Sequence, residues 1–136
     1  EEPLAADIDT ELARIRSPGF ELRLKGVGAF GGKRPQVLYA AVEKNPALAA
    51  LAEKHFSALR RLGVAVDGRS YTPHVTLARP RHAPLERVQA WIAANNLYDS
   101  GPFPVEQAVL YSSHKAGEGR HYAPERDYPL GPILIG

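Results

Sequence analysis

The segment YTPHVTLARP, residues 71–80, sets a histidine and a threonine two positions apart, with an apolar residue after each. Side chains alternate along a β-strand, so His74 and Thr76 share one face while Val75 and Leu77 share the other. The Val75–Leu77 face reads as fit for a core, and the opposite face displays an imidazole beside a hydroxyl. An imidazole titrates near neutrality, so it can accept or donate a proton at cellular pH without extreme tuning. A threonine hydroxyl next to it can donate a hydrogen bond to an anionic oxygen. Pro73 is acceptable at a strand start, and Pro80 ends the strand. The three-residue pattern is weak by itself, because a hydroxyl-capped histidine at a sheet edge fits it as well.

Helical and strand periods fill the rest of the chain. Leu4, Ile8, Leu12 and Ile15 form one apolar stripe that predicts a first helix, with Pro3 at its first position and Ser17-Pro18-Gly19 as its stop. Phe20, Leu22 and Leu24 alternate with charged residues as a half-buried strand. Gly26, Gly28, Gly31 and Gly32 read as a turn region leading into a more buried strand, Gln36–Val42. Pro46 to Leu62 predicts a second helix with Gly63 as its stop. Asp67-Gly68 predicts a turn before residues 71–80. A third helix is expected over Pro84–Ala94, with Leu85, Val88, Trp91 and Ile92 inward. Strands are expected over Val105–Tyr111 and Tyr128–Ile135, around a turn at Gly117 and Gly119. The expected class is α+β, with antiparallel or mixed sheets backed by helices.

The chain has 136 residues, enough for one domain with a proper core, and carries a formal charge of only +2. No global field therefore advertises nucleic-acid binding, although Lys33, Arg34, Arg69, Arg79 and Arg81 supply local positive charge; each taken singly reads as a solvated surface group. There is no cysteine, which removes thiolate chemistry and cysteine-based zinc sites and suits a reducing cytoplasm. No apolar run reaches membrane-spanning length. No phosphate-loop or dinucleotide fingerprint occurs among the glycines. Of the other histidines, His55 fits a boundary position on the second helix, His82 a loop, and His114 and His121 the flanks of a late turn.

PHVTLAR in a strand, preceded by a long amphipathic helix and a polar turn, resembles the second HxTx signature of the two-histidine phosphoesterases. The closer resemblance is to their RNA 2′,3′-cyclic phosphodiesterase, or 2′–5′ RNA ligase, branch. RSPGFELRLKGVGAFGGKRPQVLYAAV is similar to that family's strand–glycine turn–strand region, and VLYSSHKAGEGRHYAP to its C-terminal hairpin. The resemblance implies two lobes of antiparallel sheet with outer helices, related by pseudo-twofold symmetry about a central cleft, each contributing one HxTx strand. It implies His74 as the proton acceptor, Thr76 as a ligand of a phosphate oxygen, and Arg79 as a residue approaching the substrate phosphate. Strict alternation would turn Arg79 to the Val75–Leu77 face, so it reaches the site only if the strand ends or bulges there.

Only one H-x-T occurs in the chain, and the sequence contains no methionine. The expectation is that 1–136 is one two-histidine phosphoesterase domain lacking an N-terminal strand–helix–strand portion with the first HxTx. The rival is a natural half-site protein. For the complete protein the resemblance implies hydrolysis of RNA 2′,3′-cyclic ends to 2′-phosphomonoesters, reversible as 2′–5′ ligation, with no cofactor and no metal. This chain alone is expected to be inactive. The expected partner is RNA with a 2′,3′-cyclic phosphate end; a monomer, a cytoplasmic location and no membrane association are also expected. The alternatives are a non-catalytic RNA-binding or interaction module of the same fold, and a phosphodiesterase for a small cyclic nucleotide. Tyr39, Tyr111 and Tyr122 are available to stack on a base.

Overall fold

A computed structural model describes residues 2–66, 71–117 and 119–134. The elements run α1 (Glu2–Ala13), β1 (Phe20–Phe30), β2 (Val37–Val42), α2 (Pro46–Arg61), β3 (His74–Ala78), α3 (Leu85–Asn95), β4 (Asp99–Val105), β5 (Gln107–Ala116) and β6 (Gly119–Pro129). The α+β class follows directly. Two compact units divide the chain, one drawn from Glu1–Phe20, Pro46–Arg69 and Pro104–Gly136, the other from Glu21–Asn45 and Ser70–Phe103.

In the first unit, α1, α2 and the β5–β6 hairpin share a small core. Leu12, Ala58 and Tyr128 are buried together, with Ile8, Ile15, Ala108 and Leu110 packed against them. The α1 stripe therefore faces inward as its spacing predicts, except that Leu4 stays 40% exposed near the helix start. At the edge of this core the Tyr128 hydroxyl donates to Asp9 Oδ1 at 2.7 Å, and Arg126 donates to the same carboxylate at 2.9 and 3.2 Å. These bonds favour the carboxylate, and they hold Asp9 below its usual range, the Tyr128 bond contributing most. Burial, then the bond to Asp9, pushes the Tyr128 phenol up to about 12.

The second unit is built on a sheet of order β3-β2-β1-β4, in which β1–β2 and β2–β3 pair antiparallel. Its buried residues include Ala40 of β2 and Val88 of α3. Four expectations need correction. Gly26 and Gly28 lie inside β1 rather than in a turn, which occupies residues 31–34 instead. The register skips between Leu24 and Val27, so the strand bulges where Gly26 adopts φ +76°, a conformation cheap only for glycine. A strand Val105–Tyr111 is also not what forms: β4 ends at Val105 and β5 begins at Gln107. The DSGPFPV sequence hides β4 because two prolines read as loop, yet prolines are tolerated on an edge strand, where β4 lies.

The third correction concerns the decisive segment. Val75 and Leu77 are 44% and 54% exposed, not core, and all five residues of β3 are exposed. The reason is position: β3 is the other edge of the sheet, and no described strand lies beyond it. At the chain's end, the strand expected over Tyr128–Ile135 forms earlier: β6 runs Gly119–Pro129 and shares only Tyr128 and Pro129 with it, and among the described residues beyond it a single isolated bridge joins Pro18 and Gly131. The turn expected at Asp67-Gly68, and Ile135 itself, lie outside the described residues.

Candidate functional site

The site is built on the second unit's sheet, upward from β2 and β3. Ala41 pairs with His74 and Tyr39 with Thr76, so these four residues share one face. Tyr39 also pairs with Gly28 of β1. Glycine at that position lets the tyrosine ring lie across the strand, because a methyl there would meet Cζ and Oη of Tyr39 at 2.5 Å. The ring then stacks on Phe30, with centroids 4.4 Å apart. His74 stands edge-on to both rings, 5.0 Å from Phe30 and 5.5 Å from Tyr39. Two aromatic walls thus fix the plane of an exposed imidazole.

One hydrogen bond fixes its protonation pattern. His74 Nδ1 lies 2.7 Å from the Thr72 carbonyl oxygen, which can only accept. Nδ1 therefore carries the proton, and Nε2 of the neutral ring keeps its lone pair as a proton acceptor. Thr76 is exposed, and no side-chain hydrogen bond joins its hydroxyl to another described residue. The hydroxyl is available to donate.

Arg79 is placed by an irregularity. Leu38 pairs with Ala78 but Tyr39 with Thr76, so Leu77 is an extra residue in β3. The bulge shifts the phase of alternation by one: Ala78 takes the Leu38 face, and the next position, Arg79, falls to the face of His74. β3 ends at Ala78, which frees Arg79 further. Its guanidinium is exposed and makes no ion pair among the described residues. His74, Thr76 and Arg79 are thereby brought to one side of one strand.

The remaining histidines have other settings. His55 Nδ1 bonds the Leu51 carbonyl one turn back in α2 at 2.9 Å, a boundary position as its spacing predicts. His114 Nε2 lies 2.9 Å from the Ser112 hydroxyl, which itself donates to Glu125 at 2.5 Å on the exposed β5–β6 hairpin. His82 sits in the loop after β3 with φ +56°. No group of three or more histidine, aspartate or glutamate side chains suited to a metal ion occurs among the described residues. Sequence reasoning missed Phe30 as a wall of the site. Its only signal was its place two residues after Gly28, and that acquires meaning once Tyr39 is known to pair with Gly28.

A family model described as the 2′-5′ RNA ligase superfamily matches residues 1–117. The chain belongs to that superfamily. An RNA 2′,3′-cyclic phosphodiesterase of Geobacillus stearothermophilus is 32% identical over 104 residues, covering 73% of this chain and 32% of the relative. Another, from Aeropyrum pernix, is 36% identical over 84 residues, covering 60% of this chain and 48% of the relative. The chain thus spans between a third and a half of the length of these superfamily relatives. Among solved structures, apo E. coli LigT superposes with a TM-score of 0.73 at 24% identity, over 96% of this chain and 70% of LigT, a likeness of fold. TT0787 of Thermus thermophilus gives a TM-score of 0.66 at 27% identity, over 96% and 70% of the two chains. The two-histidine phosphoesterase fold implied by the HxTx strand is therefore the fold of this chain. No described helix is long and apolar enough to cross a membrane.

Proposed function

We propose that the complete protein hydrolyses RNA 2′,3′-cyclic phosphate ends to 2′-phosphomonoesters, with His74 as the proton acceptor. The observation that carries this reading is the His74–Thr72 bond, which commits Nδ1 as donor and leaves Nε2 as a base on an exposed face. In the reaction, Nε2 takes a proton from water as the water oxygen bonds to phosphorus. The bond from phosphorus to the ribose 3′ oxygen breaks, and that oxygen is protonated by a second group. Such acid–base assistance contributes on the order of 10²- to 10⁴-fold for each partner. Thr76 donates to a phosphate oxygen on which negative charge builds, and Arg79 offers a charge-assisted contact to the same phosphate.

The second proton handler is proposed to be a histidine of an HxTx strand outside this chain. The chemistry requires two proton handlers, and the reading is supported by the open edge of β3, where Val75 and Leu77 are half-exposed and a further strand could pair. By microscopic reversibility, attack of a 5′ hydroxyl in place of water forms a 2′–5′ linkage. The family and the names of the relatives support this class of activity.

The test supplies the complete protein with an oligonucleotide and a mononucleotide, each ending in a 2′,3′-cyclic phosphate, and identifies the product by phosphorus NMR. A 2′-phosphate on the oligonucleotide is expected. Turnover of neither substrate would mean a binding module instead, and preference for the mononucleotide would mean a small-nucleotide enzyme. Product carrying a 3′-phosphate would exchange the proposed acid and base roles.

A further inference from the structure

The β5–β6 hairpin has two faces of different character. Ala108, Leu110 and Tyr128 turn one face to the helices of the first unit. Beyond them the register shifts: Leu110 pairs with Arg126 but Tyr111 with Pro124, so Glu125 is an extra residue in β6. The bulge carries Tyr122 to the face opposite Tyr128, where it joins Tyr111. Tyr122 pairs with Ser113, which makes the two tyrosines diagonal neighbours, within reach of one another's side chains. They are 54% and 51% exposed, and neither ring makes a hydrogen bond or ring contact with a described residue. Two cations continue the same face. Lys115 and Arg120 sit directly opposite each other, a repulsive arrangement that a shared anion relieves. Arg120 Nε donates to the Ser113 hydroxyl at 2.6 Å and Nη2 to the Ser113 carbonyl at 3.4 Å, so the guanidinium is held at the residue paired with Tyr122. Those partners are neutral, and neither cation forms an ion pair with a described residue. The Glu125 carboxylate is drawn to the other face by the Ser112 hydroxyl, which donates to it at 2.5 Å. Asp127, paired with Val109, puts a negative charge at the far end of the tyrosine face.

We propose that this face is a stacking platform for single-stranded RNA, with bases on Tyr111 and Tyr122 and backbone phosphates on Arg120 and Lys115. The proposal rests on the RNA substrate of the function proposed above. It adds a contact surface on the unit that does not carry His74. Every base has a π face, so the rings hold a strand whatever its sequence. Arg120 uses two of its five donors on Ser113 and keeps three for phosphate oxygens. The charge along the face, cationic toward the turn and acidic at Asp127, sets the phosphates at the turn end. A protein partner fits less well, because the centres of protein interfaces are depleted of lysine, whereas here both cations adjoin the rings. Glu118, in the connecting turn, lies outside the described residues and enters the test.

The experiment uses the complete protein and a fluorescein-labelled RNA octanucleotide with an ordinary 3′ hydroxyl, so that binding is read by anisotropy without any chemistry. In the double variant Tyr111→Ala, Tyr122→Ala the dissociation constant is expected to rise about tenfold or more, with the salt slope unchanged. The double variant Tyr111→Phe, Tyr122→Phe should keep the parent affinity, because a phenyl ring also stacks. In Lys115→Gln, Arg120→Gln the salt slope should fall by about 1.4, at roughly 0.7 for each phosphate no longer neutralised. An abasic octamer should bind the parent and the alanine variant alike, and Glu118→Gln should bind as tightly as the parent or more so. Equal octanucleotide affinity in the parent and the alanine variant overturns the platform and leaves the face to a protein partner. A phenylalanine variant as weak as the alanine one overturns the stacking. An unchanged salt slope in the glutamine pair, or weaker binding by Glu118→Gln, overturns the phosphate contact. If the octanucleotide binds through the rings but no cyclic end is hydrolysed, the platform stands and the proposed reaction falls. Thermal melting confirms that each variant is folded.

Discussion

Placing a methyl on Gly28 should disturb the site and the sheet together. The new carbon would sit 2.5 Å from Cζ and Oη of Tyr39 and 2.9 Å from Cε1, well inside van der Waals contact. A free ring would swing aside, but this one is stacked on Phe30 and touches the edge of His74. Moving it forfeits an aromatic pair of roughly 0.5–1.5 kcal/mol, and overpacking adds about 1–3 kcal/mol. Restricting the unfolded chain returns about 0.4–1 kcal/mol. Gly28→Ala is therefore expected to destabilise the protein by about 1–4 kcal/mol. In a Tyr39→Leu background the obstacle is gone, and the same substitution should be neutral or slightly stabilising. Urea unfolding of the four proteins of this cycle measures the coupling, expected to exceed about 1 kcal/mol. An equal penalty for Gly28→Ala in both backgrounds would refute the packing argument, because the cost would then be one of backbone conformation.

Stability should also report the Asp9–Arg126–Tyr128 group. The Tyr128 phenol is pushed up from 10.0 to about 12. The neutral form is thus favoured on folding, and its contribution is complete below pH 10 and lost as pH rises from 10 to about 12. Asp9 is lowered from 3.8, so its contribution is complete above that value and fades on further acidification. Denaturation followed from pH 8 to 12 should show the alkaline decline flattened in Tyr128→Phe; an unchanged decline would contradict the assignment. Activity of the complete protein should survive excess EDTA, because both proton transfers are assigned to imidazoles; loss restored by a divalent ion would contradict that chemistry.

Much of this arrangement was legible in residues 71–80. The alternation of His74 and Thr76 with Val75 and Leu77 told which pairs share a face, and Pro80 told where the strand stops. What alternation could not tell was whether the apolar pair is covered, since that depends on strand order, and β3 lies at an edge. Nor could it tell the side of Arg79, which follows from one extra residue in the pairing with β2. Gly26 and Gly28 misled for a related reason. Glycine usually marks a turn, but here one makes a bulge and the other yields space to a cross-strand ring. Ala58, fully buried in α2, was hidden among larger apolar neighbours because alanine carries little signal.

The most direct measurement of the central claim is single-turnover hydrolysis of a 2′,3′-cyclic-phosphate oligonucleotide by the complete protein and its His74→Ala variant, both checked for folding by urea denaturation. The exposed ring contributes little packing, so stability should change slightly while the rate falls by about 10²- to 10⁴-fold. A folded variant that cleaves at the parent rate would show that the proton is taken elsewhere.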